Sequence, residues 1–435
     1  VWRRWARWHN RGDARADVGE GAAAYLNGVR MSEIANRRLS SRVHGRLLTV
    51  AIAAGLVALL AGCSSAGGLL SPIDPNPLSE MMKPTVVTSV KDGDKGVSPR
   101  DPITVTVADG QISKVTLTDA HHKTVGGEIA ADGKSWHSTG PLGYDTEYTL
   151  ESTSNGLGGA STNEIEFTTT TPDNLTKPYL NVGGDETVGI AQTIGIQFDE
   201  NIPDRHAVEN AITVETTPHV DGAFFWLSNR EVRWRPQDFW APGTKVKVSV
   251  DVFGKDLGGG LFGQEDISDE FNIGDSVILV ADDNTKQVTV SRNGEVIMSM
   301  PTSMGKDSTP TPNGTYILAE HLPSVIMDSS TYGVPVNSPE GYRETIQWAT
   351  RMSYNGIYLH SAPWSLSAQG NTNTSHGCLN LSPDNAMWVY NNTRRGDVVI
   401  VQNTVGGTLS GYDGLGDWNI PWSMWQKGNA DEVPS

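Results

Sequence analysis

The chain has 435 residues, room for about three domains at roughly 100–200 residues each. With 47 Gly, 23 Pro and only 19% charged residues, its composition points to a turn-rich β protein rather than a helical bundle. Ten Lys/Arg and four Asp/Glu precede Cys63, leaving 23 basic and 46 acidic residues behind it, an acidic surface that argues against nucleic acid as a partner because phosphate binding needs clustered Lys/Arg.

Met31 opens a segment carrying Arg37, Arg38, Arg42 and Arg46, and the apolar run LLTVAIAAGLVALLAG follows from Leu47 to Gly62. A basic stretch before a short apolar one is the pattern of a secretory signal, and the run is slightly short of the about 20 residues a spanning helix needs. It ends in Leu60-Ala61-Gly62-Cys63, which resembles the bacterial lipoprotein lipobox. That resemblance implies lipidation of Cys63 and anchoring to the outer face of the cytoplasmic membrane; a small buried Cys ending an uncleaved helix is the alternative. Residues 1–30 fit neither part and read as an over-extended gene start, so that residues 1–63 form a start-plus-signal segment. Residues 64–83 are rich in Ser, Gly and Pro without periodicity and read as a flexible tether.

From about Pro84 the sequence alternates, with Ile103, Val105 and Val107, then Val115 and Leu117, Tyr148 and Leu150, and Ile165 and Phe167. Short alternating strands between Gly, Asp and Asn turns indicate a β-sandwich. The pattern recurs about 100 residues later: Trp136, a Gly-Tyr-Asp-Thr turn and Gly156–Gly159 are answered by Trp234, an Ala-Pro-Gly-Thr turn and Gly258–Gly260. The fold class expected is therefore mainly β. Two tandem immunoglobulin-like sandwiches (84–172 and 173–274), joined at Thr168–Pro172, precede a third, mixed β domain with a short helix (275–402) and a tail (403–435). Trp136 and Trp234 are expected in the two cores. The glycine clusters are hairpin turns, since no helix and no Lys follows them as in a phosphate loop.

In the third domain, Asn293-Gly294 between alternating strands marks a two-residue hairpin. Ile357-Tyr358-Leu359 leads into His360 as a strand would. Ser382-Pro383 starts a helix to about Asn392 with Ser as N-cap and Pro in the first turn, and Val398–Val401 closes the domain. Between these lies Ser375-His376-Gly377-Cys378-Leu379-Asn380. The surroundings of Cys63 and Cys378 differ too much for a disulfide between them. A Cys with two nearby His residues is what thiol catalysis requires, because an unperturbed thiol is mostly protonated at neutral pH and an imidazole must take its proton. Gly377 permits a tight backbone whose N–H groups would face a developing oxyanion. A metal site using His360, His376 and Cys378 is the rival, without an obvious fourth ligand; a purely structural cluster is another.

His360, fourteen intervening residues, then Ser375-His376-Gly377-Cys378-Leu379-Asn380 resembles the signature of the L,D-transpeptidase (YkuD-like) catalytic domain over about 276–402. The whole layout is similar to two-immunoglobulin-domain L,D-transpeptidases of mycobacteria. The resemblance implies the following roles. Cys378 attacks the carbonyl of the L-centre residue of a peptidoglycan tetrapeptide stem and releases D-alanine, and His360 is the base, oriented by the Ser361 carbonyl. N–H groups around His376, Gly377 and Cys378 form the oxyanion hole with Tyr342 as helper. A neighbouring amine then gives a 3→3 cross-link. Carbapenems are expected to acylate the same thiol, and no metal or cofactor is implied. Met304, Tyr342, Trp364, Ser375 and Asn380 match substrate-binding positions; core packing is the alternative for Met304 and Trp364, and a bracing hydrogen bond for Asn380. His376 is equally read as holding the loop. The Pro-, Gly- and Ser-rich stretch 305–345 reads as a lid. Trp418, Trp422 and Trp425, at helical spacing, are expected to pack the tail onto the second sandwich and the catalytic domain. An L,D-carboxypeptidase, an enzyme attaching proteins to peptidoglycan, or a non-catalytic wall-binding lipoprotein are the competing functions.

Overall fold

The computed structural model describes residues 80–432, so the expectations about the export signal, Cys63 and most of the tether lie outside the described residues. Where the sequence alternates, it forms strands whose apolar residues point one way. In Thr104–Ala108 the threonines are exposed while Val105 and Val107 are buried. The first sandwich stacks a four-stranded sheet (Thr85–Thr88, Thr104–Ala108, Ser135–Ser138, Gly127–Ile129) on a five-stranded one. The latter holds Asp94–Val97, Gly159–Thr169, Glu147–Gly156, Gly110–Asp119 and Thr124–Val125. The second sandwich pairs two four-stranded sheets, one centred on Ile194–Phe198 and Glu231–Pro236, the other on Ile267–Ile273 and Lys245–Val250.

Both cores contain the same device. Trp136 and Trp234 are buried, and each ring lies flat on a glycine of the neighbouring strand: a Cβ at Gly127 or at Gly222 would sit 2.1 Å from a ring carbon of its tryptophan. In both hairpins the glycine precedes by two the residue paired with the tryptophan, Ile129 with Trp136 and Phe224 with Trp234. This internal repeat is carried by packing as well as by turn spacing. The join between the sandwiches differs from the expectation. The strand runs on through Thr169, which is buried and donates its hydroxyl to Gly143 O at 2.7 Å, so Thr168 and Thr169 belong to the first sheet. Tyr144 then fastens the sandwiches together, donating to Gly263 O and accepting from Gly254 N, both at 2.7 Å.

The third domain is built on two sheets. One has the order Glu295–Pro301, Gln287–Arg292, Val277–Asp282, Val398–Gln402, Gly314–Ile317. The other has the order His321–Asp328, Arg343–Arg351, Tyr358–Ser361, Leu379–Leu381. Asn293 and Gly294 have φ of 50° and 86°, the left-handed pair that a two-residue hairpin demands. Helix Pro383–Asn392 buries Ala386 and Val389, and the Ser382 hydroxyl caps it by accepting from Asn385 N. The region 305–345 is not one long lid, because two strands, Gly314–Ile317 and His321–Asp328, cross it. The stretches 305–313, 318–320 and 329–342 lie outside the strands, the last opening with a short 3-10 turn at Ser329–Tyr332.

No linker separates this domain from the second sandwich. Gly189 N donates to Arg395 O and Ala191 N to Gly396 O, and Ile317, Ala319, Val398 and Leu415 join the apolar core of the sandwich. The tail touches both domains: Asn419 accepts from Thr315 N and donates to Thr315 O of the third domain, both at 2.8 Å, while its tryptophans pack on the second sandwich. Trp418 and Trp425 donate to Ala191 O and Ala223 O, and the Arg235 guanidinium sits 4.5, 5.5 and 4.3 Å from the rings of Trp418, Trp422 and Trp425. The tryptophans lie on two short turns, Asp417–Asn419 and Trp422–Trp425, broken at Pro421, rather than on one helix. Among the described residues no helix is long and apolar enough to cross a membrane.

Candidate active site

Strand Tyr358–Ser361 pairs in parallel with Leu379–Leu381, Leu359 opposite Leu379 and His360 opposite Asn380. Leu359 and Leu379 point into the core of the domain. Because side chains alternate across a strand, His360, Asn380 and Cys378 share the other face. The loop delivering Cys378 is held at nearly every polar atom. Ser375 donates its hydroxyl to Cys378 O at 2.7 Å and accepts from Gly377 N at 3.0 Å. Thr311 donates to Gly377 O at 2.8 Å, and Ser375 N donates to Met304 O. Gly377 has φ of +119°, a conformation closed to side chains, which explains the glycine immediately before the cysteine.

The protonation states follow from burial. His360 is 5% exposed and Cys378 8% exposed. The His360 Nδ1–H donates to Ser361 O at 3.0 Å, which fixes the neutral tautomer and leaves Nε2 bare as an acceptor. Loss of hydration pushes the imidazole pKa down to about 4, against the opposing pull of that carbonyl. The thiol donates to Gly356 O at 3.6 Å and accepts from the Tyr358 N–H, and burial pushes its pKa up to about 11. The pair therefore rests as thiol and neutral imidazole. Burial sets the two values about seven pKa units apart in the direction that favours both neutral forms, so the resting ion pair is disfavoured.

The structure separates the other expected residues. Tyr342 packs in the apolar cluster that contains Cys378 and Tyr358, its ring centroid 4.9 Å from that of His376. His376 places its Nε2 3.2 Å from Glu340 Oε2, so it holds the loop, and among the described residues no three His, Cys, Asp or Glu side chains are grouped to hold a metal. The Gly377 N–H, expected in the oxyanion hole, is already satisfied by Ser375, and this removes it from the available donors. Met304 is a second correction. Its side chain is fully buried among Leu359, Leu379 and Met352, so it does not line the cleft, while its carbonyl braces Thr374 and Ser375. Asn380 is buried and braces the floor, its amide donating to Ser365 and its backbone paired with Ser303. Trp364 stands 56% exposed, its ring centroid 6.1 Å from that of His360, on the open side of the site. Sequence reasoning missed Thr311, Lys306 and Glu340. They lie in irregular loops where no periodicity tells which way a side chain points.

Residues 276–401 match the YkuD family, described as the L,D-transpeptidase catalytic domain, and residues 94–256 match the Bacterial Ig domain family. The chain is 53% identical over 384 residues to L,D-transpeptidase 2 of Mycobacterium tuberculosis, covering 88% of this chain and 94% of that one. It is 33% identical over 402 residues to L,D-transpeptidase 5 of the same species, covering 90% and 86%. Among solved structures, the LD transpeptidase LdtMt1 in complex with imipenem is 39% identical with a TM-score of 0.46, covering 52% of this chain and 99% of that one.

Proposed function

Because the chain belongs to the L,D-transpeptidase family, we propose that it forms 3→3 cross-links in peptidoglycan through a thioester on Cys378. The observation that carries this reading is the placement of His360 on strand Tyr358–Ser361 and of Cys378 immediately before its parallel partner Leu379–Leu381, with the Nδ1 of His360 committed to Ser361 O.

The chemistry proceeds in two displacements. With the L-centre carbonyl of a tetrapeptide stem against the sulfur, His360 Nε2 takes the thiol proton as Sγ bonds to the carbonyl carbon. The resting ion pair is too costly to form alone, so proton transfer and attack are coupled. The oxyanion is received by the Cys378 and His376 N–H groups, with Tyr342 closing that side. The proton on His360 passes to the departing nitrogen, the C–N bond breaks, D-alanine leaves, and a thioester remains. A side-chain amine of a neighbouring stem then attacks the thioester and gives its proton to His360, which returns it to the sulfur as the new amide forms. A carbapenem follows the first half alone: its lactam C–N bond opens and the ring-opened acyl group stays on the sulfur. The lipobox-like Leu60–Cys63 segment supports anchoring of the enzyme to the outer face of the cytoplasmic membrane, next to this substrate.

The test is intact-mass analysis of the full chain and of Cys378→Ala with a carbapenem, followed by product analysis with tetrapeptide stems. One adduct on wild type alone, with D-alanine release and a cross-linked dimer, is the expected result. Release of D-alanine with no dimer would make the protein an L,D-carboxypeptidase. An intact fold with neither adduct nor release would leave a wall-binding protein.

A further inference from the structure

Above Cys378 three loops meet on one carboxylate. Glu340 Oε2 lies 2.6 Å from Lys306 Nζ and 3.2 Å from His376 Nε2. Lys306 stands on the same frame as the nucleophile, since its N–H donates to Ser375 O at 3.0 Å and its carbonyl accepts from Thr309 N at 2.9 Å. Glu340 stands on the opposite loop, 329–342, which is folded tightly on itself. Gly341 N donates to Ser338 O, Tyr342 N donates to Ser329 Oγ, and a Cβ at Gly341 would lie 2.2 Å from Pro335 O. A loop so tied internally moves as one piece. Glu340 ties it to both the cysteine loop and the 305–313 loop, and Tyr342 of the same loop packs beside it on the His376 ring and on the cluster that holds Cys378. Tyr342 of this loop packs against the cluster that holds the nearly buried Cys378, so lifting the loop widens access to the sulfur.

We propose that Lys306 and Glu340 form a charge latch that an anionic donor opens by exchange: the donor's carboxylate takes the place of the Glu340 carboxylate on Lys306. The pair is partly exposed, with side-chain exposures of 32% and 52%, so it is weak and salt-screened and its opening is readily reversible. A ligand bearing a carboxylate near its scissile bond offsets the lost ion pair with a new one, and a neutral ligand does not. Lys306 and Glu340 are thus positioning residues that couple entry to substrate charge. The identity of the anion, a stem peptide or a β-lactam, rests on the transpeptidase reading; the latch does not.

The experiment uses the full chain with Glu340→Gln and Lys306→Met. Two readouts are followed: labelling of the Cys378 peptide by neutral iodoacetamide at low and high salt, and the concentration dependence of acylation by an anionic carbapenem. Both variants are expected to label about two- to fivefold faster than wild type at low salt, the range one exposed ion pair supplies, and to lose the acceleration that salt gives wild type. The two then diverge. Glu340→Gln lowers the apparent KM for the carbapenem, whereas Lys306→Met raises it about tenfold, and Lys306→Arg restores it. Wild-type labelling rates in both variants would overturn the latch, and an unchanged KM in Lys306→Met would overturn the exchange. A wild-type protein that labels with the expected salt response yet is never acylated by carbapenem or stem peptide would refute the transpeptidase reading and leave the latch standing.

Discussion

The resting protonation state makes a prediction that differs from that of a preformed thiolate. With burial holding the Cys378 thiol near a pKa of about 11, about three thiols in ten thousand are ionised at pH 7.5. An unperturbed thiol at 9.0 would have about a hundred times more thiolate at that pH. Iodoacetamide, which needs only a thiolate, is therefore expected to label the Cys378 peptide about a hundredfold more slowly than a thiol at 9.0 on ionisation grounds alone. The rate should climb about tenfold per pH unit from 7 to 10. His360 is already neutral above a pKa of about 4, so no inflection belongs between pH 5 and 8. Peptide-level mass spectrometry keeps Cys63 out of the count. His360→Gln should leave this profile nearly unchanged while lowering carbapenem acylation by about a hundredfold or more, because the base acts only when a carbonyl is in place. A labelling rate that reaches a plateau near pH 6–7, and loses it in His360→Gln, would show a resting thiolate–imidazolium pair and refute the reasoning.

Ser375→Ala removes the hydroxyl joining Gly377 N and Cys378 O; it should cost about 1–3 kcal/mol in a urea melt and slow acylation about tenfold or more, with Ser375→Thr recovering much of both. Asp397 is fully buried with Oδ1 unpartnered, and desolvation pushes its pKa up to about 7 from 3.8. A raised folded-state pKa means the group's contribution is present below pH 3.8 and is lost as pH rises through 7, a swing of roughly 4 kcal/mol. Asp397→Asn should therefore gain melting temperature at pH 8 relative to pH 4, and equal differences at the two pH values would contradict this. Trp425, fully buried, stacked on Phe225 at 5.0 Å and under the Arg235 guanidinium, should cost about 3–5 kcal/mol when replaced by Ala, read as a lower urea midpoint.

What the sequence made legible is what local rules encode. The alternating strands, the Asn293-Gly294 hairpin and the Ser382 cap each depend on residues within a few positions of one another. The catalytic motif was legible because His360 and Ser375-His376-Gly377-Cys378-Leu379-Asn380 resemble a family signature, whereas the hydrogen bonds that join Ser375, Gly377 and Cys378 appear only in the structure. What stayed hidden depends on partners far along the chain. Met304 and Trp364 read alike as cleft residues, yet one is fully buried and the other is 56% exposed, because loops carry no period that assigns a face. The strand His321–Asp328 was read as lid because Pro323 and polar residues break its pattern. It lies at a sheet edge, where a missing N–H is tolerated. The Gly189–Arg395 and Arg235–tryptophan contacts join segments that share no sequence motif.

Closure and chemistry are coupled through one physical quantity, hydration. The burial that shuts Cys378 and His360 from water also holds the thiol high and the imidazole low, since both displacements come chiefly from desolvation. The nucleophile is thus unreactive while the site is closed, which protects the thiol from adventitious oxidation. Lifting the loop admits the donor and water together, narrows the gap of about seven units, and brings the base into use only when a carbonyl has arrived. If that coupling holds, any change that loosens the 329–342 loop should raise the acid-side reactivity of Cys378 and shorten the lifetime of the free thiol under mild peroxide, both in the same rank order. A loop variant that labels faster without oxidising faster would break the link between closure and ionisation, and access alone would then account for the site's resting silence.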